Sequence, residues 1–218
     1  MIDLASRTLP HVTTIEGADG VVRCGWVGRD PEYLRYHDEE WGVPLHGDRR
    51  LFEKLSLEGF QAGLSWITIL KRRPTFRQAF ADFDPSAIAA FDADDIERLM
   101  ADPGIIRNRL KIDATLSNAS ALLALEAEKG ADALDELIWS FAPPRRDESE
   151  RPKELGDLPA TTAESTALSK ALKKLGFRFV GPTTMYALMQ SSGLVNDHID
   201  GCHRAPASTA PTRSGAAR

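Results

Sequence analysis

The chain has 218 residues, 42% hydrophobic and 27% charged, which is enough for one substantial core. Its formal net charge of −5 argues against a nonspecific coat for nucleic acid, and no run of about 18 apolar residues indicates a membrane helix. The N-terminal residues lack the pattern of a signal segment, so we expect a soluble, cytoplasmic protein, and we also expect a monomer. Two cysteines argue against a disulfide scaffold.

Two tails flank the expected domain. Residues 1–20 and 204–218 are rich in small and polar residues, so both are predicted to be disordered. Residues 21–203 are predicted to form a single domain. The cationic runs at 70–77 and 105–111 are compatible with a local DNA-binding face or with ordinary solvated helix ends.

The segment "DRRLFEKLSLEGFQAGLSWITILKRRP" predicts the first long helix. Asp48 is a suitable N-cap, apolar residues recur every three or four positions, and Pro74 ends the pattern. Glycines at 59 and 63 are poor choices for a stable helix interior. We therefore expect a helix from 48 to about 73 that contains two weak positions.

A helical hairpin is predicted around 93–125. Asp92 caps its first helix, which breaks at "DPG" (102–104), and the second helix runs from about Asn108 to Leu125. The buried stripe expected on this second helix is Ile112, Leu116, Ala119, Leu122 and Leu123. The turn can present backbone N–H groups to a phosphate, with Arg107, Arg109 and Lys111 adding charge, or it can be an ordinary αα-hairpin.

Three further helices are predicted in the C-terminal half. "DALDELIWSFAP" is closed by Pro143 and Pro144, and a charged connection follows it. Thr162 or Ser165 caps the next helix, which stops at Gly176. The last helix has proline in its first turn and ends at Gly193, and "FRFV" is the only short strand candidate. The fold class is all-α.

The two cysteines each have a histidine nearby in the sequence. His198 and Cys202 are spaced i, i+4, and Cys24 is followed by His37. Together they would form a closed Cys₂His₂ zinc site that joins the chain ends, with His203 and His46 as substitutes. Two buried thiols that never meet are an equally good reading of the spacing. The H-x-E and P-C-x-x-C signature of zinc deaminases is missing.

Aromatic residues are concentrated between 26 and 66. This segment contains Trp26, Tyr33, Tyr36, Trp41 and Trp66, which suits either a slot for a flat ring or a small aromatic core. The segment also contains Glu58 among apolar neighbours. A carboxylate in such surroundings needs a partner, which is either a buried cap or salt bridge or the N–H groups of a ligand.

Several motifs together resemble the DNA-3-methyladenine glycosylase I family, which belongs to the helix-hairpin-helix DNA glycosylases. They are "RCGWV", "YHDEEWGVP", "LFEKLSLEGFQAGLSWITIL", "GIIRNRLKI", "LSKALKKLGFRFVGPTT" and "SGLVNDHIDGC". The resemblance covers about 22–203 in order and without large gaps. It implies the helix-hairpin-helix glycosylase fold, with a zinc site tying the segments 24–37 and 198–202 together.

The resemblance also implies roles for particular residues. One structural Zn²⁺ per chain would be bound by Cys24, His37, His198 and Cys202. Glu58 would accept hydrogen bonds from the base and act in catalysis, with Tyr36 and Trp66 against the ring and Trp26 and Trp41 nearby. The hairpin residues Gly104, Ile105, Ile106 and Arg107 would contact the DNA backbone, and Gly63 and Leu64 would probe the gap left by the extruded nucleotide.

The implied activity is base excision repair. The enzyme would extrude N3-methyladenine from alkylated double-stranded DNA and hydrolyse its N-glycosidic bond, leaving an abasic site. Asp113 is too close to the hairpin to be the catalytic aspartate of the wider superfamily. The reaction does not strictly require a general acid, because the cationic base leaves as a neutral molecule. A noncatalytic DNA-binding module and a small-molecule purine hydrolase are the alternatives.

Overall fold

The structure is a computed structural model, and it describes residues 13–144 and 150–205. The chain begins with a small antiparallel hairpin in which β1 (Thr14–Glu16) pairs with β2 (Val22–Cys24). Gly20, at φ 73°, permits the tight turn between these strands. Residues 14–16 were expected to lie in a disordered tail, and they form a strand instead.

Helices α1 to α3 follow the hairpin. α1 is Pro31–Glu39, and the Asp30 side chain caps it by accepting hydrogen bonds from the N–H groups of Glu32 and Tyr33. α2 is Asp48–Gln61 and α3 is Trp66–Ala79. α2 occupies the middle of the molecule, where it packs against α3, α6, α7 and α9.

The expected helix from 48 to about 73 is therefore two helices, and three of its details are wrong. The break falls at residues 62–65, where Gly63 has φ 85°. Pro74 lies inside α3 rather than at its end. Asp48 does not cap α2, because its carboxylate accepts hydrogen bonds from the N–H groups of Leu134 and Asp135 at the start of α7.

Helices α4 to α6 build the second part of the core. They are Pro85–Ala89, Ala93–Ala101 and Arg109–Lys129, and α6 packs against α4, α5 and α7. The predicted cap of α5 is confirmed, since the side chain of Asp92 accepts hydrogen bonds from the first turn. Asn108, the expected start of the next helix, caps α6 with its side chain. α6 is one turn longer than expected. Leu116 and Leu123, in the expected stripe, are only partly buried.

Helices α7, α8 and α9 complete the fold at Ala133–Trp139, Ala163–Lys174 and Pro182–Ser191. Thr162 caps α8 in a capping box with Ser165, as predicted, and α8 packs on α9. Residues 177–180 ("FRFV") do not form a strand. The mostly helical class is confirmed, and the structured residues include one small sheet that the sequence did not indicate.

The central α2 and the final α9 bring distant segments together. Gly193 has φ 75°, and a Cβ at this position would lie 2.6 Å from the backbone of Val43 and Pro44. Only glycine permits this close approach, which presses the residues after α9 against the loop after α1. The segment 194–203 then lies beside β2, where the N–H of His203 donates to the carbonyl of Val22 at 2.8 Å.

Candidate functional site

Cys24, His37, His198 and Cys202 form one buried cluster. Their four ligand atoms all lie within 4.8 Å of one another. Sγ of Cys202 lies 3.4 Å from Nε2 of His37 and 3.7 Å from Nδ1 of His198, and Sγ of Cys24 lies 3.7 Å from the same Nδ1. A tetrahedral zinc ion with ordinary bond lengths requires sulfur–nitrogen separations of about 3.5 Å. The geometry therefore fits a metal with these four ligands.

Neighbouring acceptors fix which ring nitrogen of each histidine faces the cluster. Nδ1 of His37 lies 2.8 Å from a carboxylate oxygen of Asp38, and Nε2 of His198 lies 3.2 Å from the carbonyl oxygen of Trp41. Because both partners only accept, these nitrogens carry the protons, and the lone pairs of the other two point at the sulfurs. Arg23 holds the Asp38 carboxylate through hydrogen bonds of 2.7 to 2.9 Å.

The backbone also prepares the sulfurs to bind as thiolates. The N–H of Ile199 donates to Cys24 at 3.3 Å, and the N–H of Arg204 donates to Cys202 at 3.4 Å. The hydrogen bond between the two thiols lowers the pKa of Cys202 and, together with burial, raises the pKa of Cys24, so Cys202 is the thiolate of the pair. Burial lowers the pKa of His198, which favours its neutral form. A neutral imidazole beside a thiolate is the protonation state that zinc requires.

The two substitute histidines lie outside the four-atom cluster. His203 lies at its edge, with Nδ1 3.0 Å from the carbonyl oxygen of Val22 and Nε2 3.5 Å from a carboxylate oxygen of Asp38. His46 is elsewhere, stacked on Trp139 and hydrogen-bonded to Asp135. The residues named from sequence spacing are therefore the ones that meet.

A narrow aromatic crevice lies next to this cluster. It is a small cavity of about 20 Å³ that is partly open to solvent. Its lining consists of Trp26, Tyr33, Tyr36, Trp41, Trp66, Gln190 and Ser191. The four aromatic residues expected in a base pocket are all present, and two polar side chains from the end of α9 close one side.

Tyr36 and Trp66 are in direct contact, with ring centroids 5.5 Å apart and planes inclined at 46°. This is an ordinary separation for two touching aromatic rings, so a purine does not fit between them in this conformation. A base must lie on an outer face of these rings or displace one of them.

Glu58 is 1% exposed and lies on α2 behind the crevice. One of its oxygens accepts a hydrogen bond from the hydroxyl of Ser191 at 2.9 Å, and the other has no partner among the residues that the structure describes. No arginine is paired with it in that part of the chain. A buried acceptor without a donor is costly, and it is typical of a group that awaits a ligand.

Two more polar atoms beside the crevice lack partners within the described chain. They are the indole N–H groups of Trp26 and Trp66, both buried. Together with the free oxygen of Glu58 they give one acceptor and two donors around a flat apolar space. This pattern suits a small planar ligand that carries both N–H groups and ring nitrogens.

The aromatic wall connects the crevice to the Cys/His cluster. Trp26 contacts His37 with a centroid distance of 5.4 Å, and Trp41 contacts His198 at 4.6 Å. A Cβ on Gly42, at φ 77°, would lie 3.0 Å from Nε2 of His198, so the chain after Trp41 passes directly over this imidazole. Displacement of the histidines would therefore move the wall.

The turn between α5 and α6 is held in place by α3. Arg72 donates to the carbonyl of Pro103 at 2.7 Å, and Thr75 donates to the carbonyl of Gly104 at 2.6 Å. The N–H of Gly104 donates to the side chain of Asp102, so this group is occupied. A Cβ at Gly104 would lie 3.0 Å from Thr75, which explains the glycine.

The remaining N–H groups of the turn, on Ile105, Ile106 and Arg107, have no partner within the described chain. Arg107 is exposed. Arg109 pairs with Asp113 at 2.8 Å. These three N–H groups, rather than that of Gly104, remain available for an anion.

Lys111 does not add charge at this turn as expected. Its side chain is buried, and its ammonium donates to the carbonyls of Phe60 and Ala62 at 2.7 Å each. It thus caps the C-terminus of α2 and ties the loop 62–65 to α6. Leu64 at the tip of this loop is 38% exposed.

The model of the methyladenine glycosylase family matches residues 26–205 of this chain. DNA-3-methyladenine glycosylase 1 of Escherichia coli (strain K12) is 51% identical over 180 residues, which cover 83% of this chain and 95% of the relative. The chain belongs to the methyladenine glycosylase family. The predicted family and the predicted class of enzyme, a hydrolytic glycosylase, are confirmed.

Solved structures of glycosylases from this family have the same fold. A crystal structure of 3-methyladenine DNA glycosylase I superposes with a TM-score of 0.79 at 51% identity, covering 84% of this chain and all of the other. A structure of 3-methyladenine DNA glycosylase I from Staphylococcus aureus, which describes how that enzyme recognises 3-methyladenine, superposes with a TM-score of 0.78 at 36% identity. The superposition covers 85% of this chain and 97% of the other.

Sequence reasoning missed four residues around the crevice of this glycosylase. Tyr33, Gln190, Ser191 and Lys54 all line it or touch its walls. Tyr33 was noticed within the aromatic segment but was not assigned to the base pocket. Its position nearly one helical turn before Tyr36 places it on the same face of a helix, and this could have identified it. No local signal marks Gln190 or Ser191, which reach the crevice through the packing of α9 against α2.

The described residues contain no helix that is both long and apolar enough to span a membrane.

Proposed function

We propose that this methyladenine glycosylase is a DNA repair enzyme that extrudes N3-methyladenine from alkylated duplex DNA and hydrolyses the bond to its deoxyribose. The observation that carries the proposal is the unpartnered oxygen of buried Glu58 beside an aromatic crevice. The exocyclic amine of N3-methyladenine is a donor that this oxygen can accept. The names of the Escherichia coli and Staphylococcus aureus relatives support the same substrate.

Glu58 does not itself line the crevice, and one of its oxygens is occupied by the hydroxyl of Ser191, which does. A base that enters must therefore stack on the exposed face of an aromatic ring and reach the second oxygen. Stacking of a base on an aromatic side chain contributes about 1–3 kcal/mol, and a hydrogen bond to a carboxylate contributes a similar amount. The two contacts together would hold the purine and set its orientation.

The reaction needs little help from acid catalysis. N3-methylation gives the nucleoside purine a positive charge, so cleavage of the C1′–N9 bond sends its electron pair to N9 and releases a neutral base. The sugar becomes an oxocarbenium-like cation, water adds to C1′, and a proton passes to solvent, leaving an abasic site. The crevice accelerates this step by orienting the base and by placing the negative charge of Glu58 near the developing cation.

DNA binding is assigned to two elements. The unpartnered N–H groups of Ile105, Ile106 and Arg107 would bind a backbone phosphate, and Arg72 and Thr75 hold this turn in place. The glycine at 63 and the exposed side chain of Leu64 form the element proposed to fill the gap in the duplex. A single chain carries every one of these groups, so the proposed enzyme acts as a monomer.

Cys24, His37, His198 and Cys202 would hold one Zn²⁺ per chain. A bound zinc ion would supply a structural cross-link between the two ends of the domain, because four protein ligands leave no position for water. The residues around it keep Trp26 and Trp41 in place as the wall of the crevice.

Incubation of the purified protein with methylated duplex DNA, followed by chromatography of each released base, tests the proposal. We expect N3-methyladenine to be released. Glu58→Gln should lower kcat/KM by about tenfold to a hundredfold, since a hydrogen bond of about 1–3 kcal/mol is lost. Glu136→Gln, an exposed glutamate on α7, is the control for the chemical change. Binding of DNA without release of any base would indicate a noncatalytic module instead.

A further inference from the structure

Lys54 is a buried cation that the proposed reaction does not use. It lies on α2, one turn before Glu58, and is 8% exposed. Its ammonium donates a hydrogen bond to the hydroxyl oxygen of Tyr36 at 3.2 Å. Across residues 13–144 and 150–205, no carboxylate lies within ion-pair distance of this ammonium. A buried charge with a phenol as its partner is unusual and requires an explanation.

The ammonium lies between the aromatic crevice and a second, larger pocket. It is 4.8 Å from the ring centroid of Tyr36 and 5.1 Å from that of Trp66, the two touching rings of the crevice. It also lines the second pocket, which has a volume of about 210 Å³ and shares Trp66 and Ser191 with the crevice. Lys54 therefore acts on the crevice from behind its wall.

The donor properties of an ammonium restrict the phenol. A lysine ammonium has three donors and no acceptor, so it occupies a lone pair of the Tyr36 oxygen. The hydroxyl hydrogen of Tyr36 must then point away from Lys54. A neutral side chain at position 54 would impose no such direction.

We propose that Lys54 is a positioning residue that makes the Tyr36 hydroxyl a hydrogen-bond donor to the extruded base, while Glu58 acts as the acceptor. This inference rests on the proposed function. N3-methyladenine offers an amine that donates and ring nitrogens that accept, so a donor and an acceptor in the protein match it. Bond cleavage moves electrons onto the base and makes its ring nitrogens better acceptors. The Tyr36 hydrogen bond therefore strengthens in the transition state, and its loss lowers kcat more than it changes KM.

The protonation state of Lys54 gives this mechanism a pH dependence. Burial lowers the pKa of Lys54 to about 8, and the carboxylates of Glu58, Glu40 and Glu53 raise it against the opposing charge of Arg73. Below this pKa the ammonium only donates. Above it, the neutral amine can accept from the phenol, and the hydroxyl turns away from the base. Activity should therefore fall as the pH rises through about 8.

The kinetic test uses Lys54→Met, Tyr36→Phe and the double variant, with single-turnover release of N3-methyladenine from methylated DNA. We expect each single variant to lower the rate about tenfold, and the double variant to be no slower than either. The fall in rate near pH 8 should be present in the wild type and absent in Lys54→Met. Lys170→Met, an exposed lysine on α8, is the matched control and should behave as the wild type does.

A second measurement does not depend on activity. The chain has three tyrosines, so ¹³C labelling of the ring carbon that bears the oxygen gives a spectrum in which Tyr36→Phe identifies one signal. In the wild type this signal should shift with a midpoint near pH 8, and in Lys54→Met it should not. If the protein releases no base but the signal titrates in this way, the proposed function fails while the Lys54–Tyr36 interaction stands.

Three results would overturn the inference. They are an unchanged rate in Lys54→Met, a rate in the double variant equal to the product of the two single losses, and a Tyr36 signal that is the same with and without Lys54. Methionine has a similar volume to lysine and removes a buried charge, so loss of the fold is not expected to obscure these results.

Discussion

The Cys/His cluster is fully buried and the adjacent aromatic crevice is partly open, and they also differ in how their polar groups are satisfied. Each imidazole of the cluster has an acceptor for its N–H, and each sulfur receives a backbone N–H. In the crevice, within the described residues, one oxygen of Glu58 and two indole N–H groups have no partner. The first arrangement stabilises the fold, and the second keeps hydrogen-bonding capacity for a ligand.

This comparison predicts opposite consequences for substitutions in the two regions. Changes in the cluster should lower stability and metal content, and changes in the crevice should lower activity with little cost in stability. The two regions share a wall, since Trp26 and Trp41 contact the histidines of the cluster. Loss of the cluster should therefore reach the crevice, but not the reverse.

The largest effect is expected from removal of a sulfur ligand. Cys24→Ser or Cys202→Ser should abolish stoichiometric zinc and lower the free energy of unfolding by at least about 3 kcal/mol, which corresponds to roughly 6–12 °C in Tm for a domain of this size. Metal analysis and thermal denaturation measure these changes. His46→Asn, at an exposed histidine outside the cluster, is the control. Full zinc content in both cysteine variants would refute the metal site.

The buried charge of Lys54 should make stability depend on pH. Its pKa in the folded state is about 8, below the usual 10.5, because burial disfavours the charged form. Protonation therefore destabilises the native state fully below pH 8, and wild-type stability should rise relative to Lys54→Met as the pH increases from 8 to 10.5. The total change is on the order of 3 kcal/mol, at about 1.4 kcal/mol per pH unit.

Urea denaturation of both proteins between pH 7 and 10.5 measures this difference. Lys170→Met should show no such trend, because that lysine is exposed. A constant difference between the wild type and Lys54→Met across the range would mean that the lysine titrates normally, and that the ammonium is better hydrated than its burial indicates.

A smaller effect is expected at Asp38, which orients His37. Asp38→Asn should weaken zinc binding about tenfold to a hundredfold without removing a ligand, because the acceptor for the imidazole N–H loses its charge. Competition with a chelator measures the affinity. Asp19→Asn is a matched control, since Asp19 binds the same Arg23 but does not touch His37. Equal losses in both variants would assign the effect to Arg23 rather than to the metal.

The smallest expected change is in the stability of Glu58→Gln. Because one oxygen of Glu58 has no partner, the neutral amide should change the free energy of unfolding by less than about 1 kcal/mol while activity falls. Urea denaturation at pH 7 is the measurement. A loss of several kcal/mol would show that Glu58 supports the fold, and the contrast between the two regions would disappear.

Local signals in the sequence predicted much of the helical framework. Asp92, Asn108 and Thr162 cap the helices that follow them, since a short polar side chain can satisfy the first N–H groups of a helix wherever it occurs. Asp48 has the same chemistry but serves α7 instead of α2. The sequence cannot reveal this, because the competing helix end comes from a segment 86 residues away.

For the site, too, the sequence revealed the residue types but not the contacts between them. The ligand types and spacing of the four Cys and His residues suggested a metal site. Because the chain has only two cysteines, few other sets of four ligands were possible. The aromatic residues of the crevice were also recognised, but their mutual contacts were not. Tyr36 and Trp66 touch because α1 packs on α3, and Lys54 reaches the Tyr36 hydroxyl because α2 lies behind both.

The sequence alone determined the family, the positions of most helices and the residues able to bind a metal or stack on a base. These features depend on residue identity and short-range spacing, which a linear chain already contains. The tertiary structure decided which polar atoms are satisfied: Glu58 keeps one free oxygen, Gly104 has its N–H occupied, Lys111 is a buried cap and Lys54 faces a phenol. Such outcomes depend on packing between segments distant in the chain, where burial removes water and leaves each polar group only the partners that the fold supplies.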